Sequence, residues 1–304
     1  MKNSRTFPLL AGIGLLALVS AAAWLPQARL LGLAAFARSP VCPFSHALRS
    51  RANLEQTLRI KDRILAASRL VRAEGGLELW DTPKGPFWIP RGNRFVLPFN
   101  LAEMERQVYA SPEHYIRPGD VVLDCGASDG DFTREALRAG AARVVAVEVS
   151  PASVECLRRN LAAEIAAGRV TVYPKGVWDR DDTLTLNVDD TNFAANSVVL
   201  RPPSSHPSVE VPLTTIDRIA AELGLPRVDF IKMDVEGAEV KALAGAAGVL
   251  ARCKPRLAIA AEHKPDDAVT IPAAVRRARA DYRMECGQCL QQDGRIRPDV
   301  LFFW

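Results

Sequence analysis

The sequence lacks the usual marks of a metal-folded domain. It has no H-x-x-x-H, and its six cysteines, at positions 42, 125, 156, 253, 286 and 289, contain a single C-x-x-C pair, Cys286 with Cys289. One such pair cannot make a four-ligand zinc site, so the cysteines are expected to be reduced, partly buried thiols. There is no internal repeat and no tract of low complexity. With 48% hydrophobic and 24% charged residues over 304 positions, disorder and a miniature disulfide scaffold are excluded. The length suits two units, or one α/β domain with an extension, and the composition is not that of a multi-span membrane protein.

The body of the chain also lacks a basic excess. Residues 1–74 carry 11 basic and 3 acidic groups, whereas the remainder carries 28 basic and 32 acidic ones. This argues against a nucleic-acid partner for the body, while a basic segment beside an apolar one suits an anionic membrane surface. The apolar run is Leu9 to Leu25, 17 residues without a charge, which would span about 26 Å as a helix. It is read as a single uncleaved membrane anchor through residues 9–25. Arg29, Arg38, Arg49 and Arg51 outnumber Lys2 and Arg5, which directs the body towards the cytoplasm. A cleaved signal ending near Ala21, Ala22 and Ala23 is the alternative.

Three regions follow: residues 1–44 as tail and anchor, 45–74 as a basic amphipathic helix, and 75–304 as the main domain. Ser45 to Glu74 has neither Pro nor Gly and ends at Gly75 and Gly76, which predicts one helix. Leu77 to Leu97 predicts short strands or a hairpin. From Asp120 strand-like and helical runs alternate, which predicts a mostly parallel sheet. Strands are expected at 121–123, 143–149, 170–177, 183–188, 209–213, 228–233 and 256–261, and helices from Asp131, over Pro151 to Ala167 with Ser150 as N-cap, and over Ala238 to Ala251. The stretches 283–286 and 300–303 are expected to pair, joined by the turn at Gln292, Asp293 and Gly294.

The run Val121-Val122-Leu123-Asp124-Cys125-Gly126-Ala127-Ser128-Asp129-Gly130 takes an apolar strand into D-x-G-x-x-x-G and then a helix. Glycines at such a turn let backbone approach a ligand, and the helix start offers free N–H groups. Glu148, 18 residues beyond Gly130 at the end of the next strand, is suited to both hydroxyls of a ribose. Asp124 stands where a dinucleotide fingerprint has its first glycine, which repels a pyrophosphate and suits a sulfonium.

With these motifs the chain resembles the class I methyltransferases that use S-adenosylmethionine, and among them the FkbM family. The resemblance runs from about Trp80 to Trp304. It includes Val147-Glu148 with Pro151, Asn160-Leu161, Gly176-Val177-Trp178-Asp179, Thr215-Ile216-Asp217 and, most specifically, Asp229-Phe230-Ile231-Lys232-Met233-Asp234-Val235-Glu236-Gly237-Ala238-Glu239. The chain departs from the family pattern at Val149, commonly Pro, and at Ser128-Asp129, more often Asn with an aliphatic residue. The resemblance implies a Rossmann-like fold with an antiparallel C-terminal strand. It also implies S-adenosylmethionine on Asp124, Gly126, Ala127 and Gly130, Glu148 on the ribose, and Gly176 and Val177 near the adenine.

Lys232, Asp234 and Glu236 alternate at the C-terminal end of an expected central strand, where open α/β sheets bind ligands. Asp234 and Glu236 are read as catalytic, orienting the acceptor or taking its proton, and His263 as the second candidate base. Lys232, Asn196 and Glu262 are read as substrate-binding. Asp234, Glu236 and Glu262 are the possible oxygen ligands for Mg²⁺, although the reading assigns no metal. The expected reaction is O-methylation of a sugar, glycan precursor or other membrane-proximal small molecule. A non-catalytic scaffold and an NAD-dependent oxidoreductase are the alternatives.

Overall fold

The computed structural model describes residues 26–201 and 205–304. The expected anchor, Leu9 to Leu25, lies outside them, and among the described residues no helix is long and apolar enough to cross a membrane.

The chain opens with α1 (Pro26–Phe36) and α2 (Phe44–Ala67), then an antiparallel meander of β1 (Arg69–Glu74), β2 (Leu77–Thr82) and β3 (Gly85–Pro90), then α3 (Val96–Glu105). The helix expected to reach Glu74 stops at Ala67. Ser68 is extended, and the residues after it fold back on β2 through Gly75 and Gly76, both in the left-handed region at φ 56° and 79°. Strand pairing wins because the double glycine makes a tight turn cheap.

The alternating region follows with β4 (Val121–Cys125), α4 (Asp131–Arg138), β5 (Arg143–Val147), α5 (Pro151–Asn160), α6 (Ala162–Ala166) and β6 (Val170–Tyr173). Next come β7 (Gly176–Val177), β8 (Asp182–Asp189), β9 (Ser205–Thr214), α7 (Ile216–Glu222), β10 (Phe230–Met233), α8 (Glu239–Ala244), α9 (Ala247–Cys253) and β11 (Arg256–Ala260). The chain closes with α10 (Asp267–Ala278), β12 (Met284–Cys286), β13 (Cys289–Gln292), β14 (Arg295–Pro298) and β15 (Val300–Phe303).

Seven strands form the central sheet in the order β12-β15-β11-β10-β4-β5-β6. The five from β11 to β6 are parallel, and β15 runs antiparallel to both its neighbours. The sheet is therefore mixed, as the expected reversed last strand requires. Its core strands are apolar on both faces, from Val144, Val145, Ala146 and Val147 to Leu257, Ala258, Ile259 and Ala260, the pattern of a sheet covered on both sides. Strand order reverses between β4 and β10, and a crevice opens there at the C-terminal strand ends.

Other expectations shift at their edges. Asp293 and Gly294 turn within the separate hairpin β13–β14, while β12 and β15 pair directly. The helix expected over Ala238 to Ala251 is broken at Gly245, where the Trp178 carbonyl approaches so closely that an added Cβ would lie 1.9 Å from it. Pro151 to Ala167 breaks at Leu161, and Ser150 has extended N-cap geometry but makes no side-chain cap bond.

Asn160 connects the meander to the glycine turn. Its carboxamide accepts from Trp88 N–H at 2.6 Å and donates to the carbonyls of Trp88 at 2.9 Å and Asp129 at 2.8 Å. Asn160→Ala leaves these buried groups unpaired, and we expect a loss of about 2–4 kcal/mol in chemical denaturation. Asn192→Ala, at an exposed position, should change stability by less than about 0.5 kcal/mol.

Candidate active site

The reversal point is shaped by one glycine. Gly126 follows β4 in the left-handed region, at φ 79°, and a Cβ there would lie 1.8 Å from the Asp234 carbonyl. Only glycine lets the ends of β4 and β10 come this close. Gly130 is also left-handed, at φ 89°, against Leu157 and Leu161, so the turn seats on α5. Ser128, at φ 51°, occupies the position where the family more often has Asn, a residue that tolerates this conformation better. Asp129 is fully buried where an aliphatic residue is more frequent, and burial raises its carboxyl well above the usual range, which favours the neutral form.

Parallel pairing puts Lys232 of β10 opposite Asp124 of β4. The Lys232 ammonium donates to the Gly126 carbonyl at 2.7 Å and lies 3.6 Å from Asp124 and 3.7 Å from Asp234. It also sits over the rings of Tyr109 and Phe132, at 5.2 and 6.0 Å. Burial would lower its pKa, but Asp234 and Asp124 outweigh that and hold it above the usual lysine value. Asp124 accepts the Thr133 hydroxyl at 2.6 Å, while burial pushes its own pKa up against the pull of Lys232.

A cavity of about 550 Å³ lies over this junction. Gly126, Glu148, Gly176 and Val177 line one part of it, and Lys232, Asp234, Glu236, Glu262, His263 and Asn196 another, so expected cofactor and acceptor residues face one space. Asp124, Ala127 and Gly130 are not among the lining residues. Asp124 is wholly buried behind Lys232, and its contribution is to hold the turn.

Glu148 is fixed by backbone. One carboxylate oxygen accepts from Val149 and Ser150 N–H at 2.9 and 2.7 Å, and the other from Ser128 N–H at 2.9 Å. Burial raises its pKa against these donors. The second oxygen, with a single donor, retains lone-pair capacity towards the cavity. Beside it the Ser128 hydroxyl is buried without a hydrogen-bond partner. An adenosyl ribose supplies hydroxyls for both, and the carboxylate-rich lining, with Asp131, Glu148, Asp234 and Glu236, favours a cation. These residues fit S-adenosylmethionine.

The charged centre lies at the ends of β10 and β11. Asp234 accepts the Tyr109 hydroxyl at 2.6 Å. Burial opposes its ionisation, yet Lys232 and His263 prevail and hold the pKa below the usual carboxylate value. His263 Nε2 is 3.5 Å from both Asp234 and Glu236, and Nδ1 is 3.0 Å from Glu239. Burial would lower the imidazole pKa, but Glu236 and Glu239 raise it well above its usual value. Its carboxylate neighbours thus favour the charged imidazolium, whereas the role of second candidate base suits an unperturbed imidazole. Glu236 is raised by burial against His263.

Two further features carry no motif in the sequence. Glu103 of α3 and Tyr109 reach the cavity from the meander side; an isolated Glu and Tyr give no spacing to read. Burial first, then the Asp299 carboxylate, raises both Glu103 and Glu262, the latter to about 8. The expected reduced thiols are also corrected: Cys42 and Cys289 form a disulfide, and Cys125, Cys156, Cys253 and Cys286 are free.

Comparison with known proteins agrees with this geometry. The family profile described as Methyltransferase FkbM domain matches residues 124–284. The chain belongs to the FkbM methyltransferase family. Membership implies S-adenosylmethionine as the methyl donor, and the chain spans about 60% of the length of the first of the relatives it matches. The chain is 29% identical over 157 residues to the 31-O-demethyl-FK506 methyltransferase FkbM of Streptomyces tacrolimicus, a match covering 43% of this chain and 60% of that one. It is 25% identical over 172 residues to the 2-O-methyltransferase NoeI of Sinorhizobium fredii, covering 52% and 68%. The crystal structure of methyltransferase FkbM from Methylobacillus flagellatus is 19% identical with a TM-score of 0.47, covering 85% of this chain and 62% of that one.

The raised acids set a pH dependence of stability. Glu262, raised to about 8, is protonated in the folded protein at neutral pH but ionises on unfolding, and Glu103 is raised in the same direction. The unfolded state therefore binds fewer protons, and stability falls as pH rises from about 5 to about 8. His263, also raised, loses its contribution in the same direction. Glu262→Gln should flatten the decline by up to about 1.4 kcal/mol per pH unit, read from denaturation curves across that range.

Proposed function

We propose that this chain transfers a methyl group from S-adenosylmethionine to a hydroxyl of a sugar, glycan precursor or other membrane-proximal small molecule. The observation that carries the reading is the single cavity in which Glu148 and the Gly126 turn face Asp234, Glu236 and His263. The names of two relatives, a 31-O-demethyl-FK506 methyltransferase and a 2-O-methyltransferase, support oxygen as the accepting atom. The acceptor's nearness to a membrane, with the body facing the cytoplasm, rests on the charge-free run Leu9 to Leu25 and the arginines after it.

S-adenosylmethionine supplies an electrophilic methyl carbon on sulfur. The residues do the rest by positioning. Asp234, pinned by Tyr109 and Lys232, presents a fixed acceptor that orients the substrate hydroxyl. Glu236 would take the acceptor hydroxyl's proton as the methyl group passes from sulfur to that oxygen and leaves a neutral thioether, because its raised pKa makes it the stronger carboxylate base. His263, as imidazolium, keeps the neighbouring carboxylates ionised. The carboxylate-rich wall opposes a pyrophosphate and disfavours the NAD alternative.

Calorimetric titration of the full chain with S-adenosylhomocysteine should show binding that Glu148→Ala weakens and that NAD does not reproduce. Absence of binding by folded protein would refute the reading. Once an acceptor is found, Glu236→Gln should lower kcat by roughly 10²–10⁴-fold while leaving product binding intact. In the same assay His263→Ala removes a cation beside Glu236, so the acid limb of the pH–rate profile should move to higher pH. An unmoved limb would take the base role from Glu236.

A further inference from the structure

Among residues that do not line the cavity, three cysteines meet. Cys42 sits in the corner between α1 and α2, Cys286 ends β12 and Cys289 begins β13. All three are buried, and their sulfurs lie within 4.8 Å of one another. Cys42 and Cys289 are joined, and the third thiol, Cys286, stands 3.7 Å from the sulfur of Cys289 and 4.0 Å from that of Cys42. A clasp made only of the disulfide has no use for a third converging sulfur.

The surroundings suit an anionic metal centre. Arg38 donates to the Cys42 carbonyl at 2.7 Å, and Arg106 bonds the side chain of Gln288, which lies between the two C-x-x-C cysteines. The Arg38 guanidinium thus adjoins one of the three cysteines, and that of Arg106 the segment between the other two. His46, one turn beyond Cys42, holds its Nδ1 2.7 Å from the Gly287 carbonyl. A carbonyl only accepts, so Nδ1 is the donor, and the bond ties the start of α2 to the loop between the two cysteines of the C-x-x-C pair.

We propose that in the reduced protein Cys42, Cys286 and Cys289 form a three-thiolate site for a soft divalent cation, Zn²⁺ in the first instance. A cellular dithiol reduces the Cys42–Cys289 bond, itself becoming a disulfide and delivering two electrons and two protons. Binding of Zn²⁺ then releases three protons as three sulfur–metal bonds form. The same corner of α1 and α2 is clasped to the C-terminal strands in either state, by a covalent bond when oxidised and by a metal when reduced. The C-x-x-C pair alone could not make such a site; the third ligand comes from far away in the sequence.

The test uses the full chain, reduced with a phosphine, exposed to Zn²⁺ and freed of excess metal. One equivalent of zinc should remain by elemental analysis, and Cd²⁺ titration should give a thiolate charge-transfer band saturating at one equivalent. Cys286→Ser should weaken metal binding at least about 100-fold, more than loss of a supporting contact around a ligand would. Its folding is checked independently, because the oxidised variant keeps the Cys42–Cys289 bond, seen by mass spectrometry after alkylation. Cys253→Ser should bind as wild type. No retained zinc in the reduced wild type, or equal binding by Cys286→Ser, would overturn the proposal and leave a plain disulfide.

Discussion

One buried ammonium organises the crevice. Lys232 is nearly sealed from solvent, and an unpaired charge there would cost several kcal/mol. Everything around it answers that cost: Asp124 across the strand pair, Asp234 two residues on, the Gly126 carbonyl, and the faces of Tyr109 and Phe132. These partners come from the two strands that flank the reversal point and from the segments that cover it. Lys232 therefore fixes the height of the glycine turn relative to the acidic strand end, and so the relation between the donor and acceptor parts of the cavity.

That arrangement accounts for much of what was legible beforehand. Lys232 and Asp234 alternate along the end of β10, a period-two spacing that can be read from the chain, whereas Glu236 lies in the turn just beyond it. The roles within the motif were less legible. Asp124 looked like a ligand contact, yet in-register pairing with Lys232 sends its carboxylate inward, and no single-strand pattern reveals a partner on the next strand. His263 reads from the sequence as a second candidate base at a strand end. Its raised pKa depends on Glu236 and on Glu239, the first residue of α8, an association made by the fold.

The larger elements follow the same division. Strands of the central sheet were readable from continuous apolar runs, and the reversed last strand from the family resemblance. Helix ends were not, where a remote group decided them: the Trp178 carbonyl against Gly245 interrupts what periodicity presents as one helix. The pairing of Cys42 with Cys289 bridges 247 positions, and no spacing rule reaches that far. What packs both ends of the chain together is invisible to local pattern for the same reason.

The strained residue at the strand end ties fold to chemistry. Glu236 has φ 51°, a conformation that costs a non-glycine residue on the order of 1 kcal/mol. Its surroundings hold it there. The Ser197 hydroxyl donates to the Glu236 carbonyl at 2.7 Å, and Gly237 follows at φ 91°, with Leu200 packed against it. Glu239 draws in the N–H groups of Val235 and Gly237 from below. Without the left-handed turn the chain would continue along β10 and carry the carboxylate past the crevice. With it, Glu236 is directed back over the cavity beside His263. The glycine after the acid and the glutamate two positions further on are thus part of how the carboxylate is aimed, which explains why the run from Lys232 to Glu239 works as one unit.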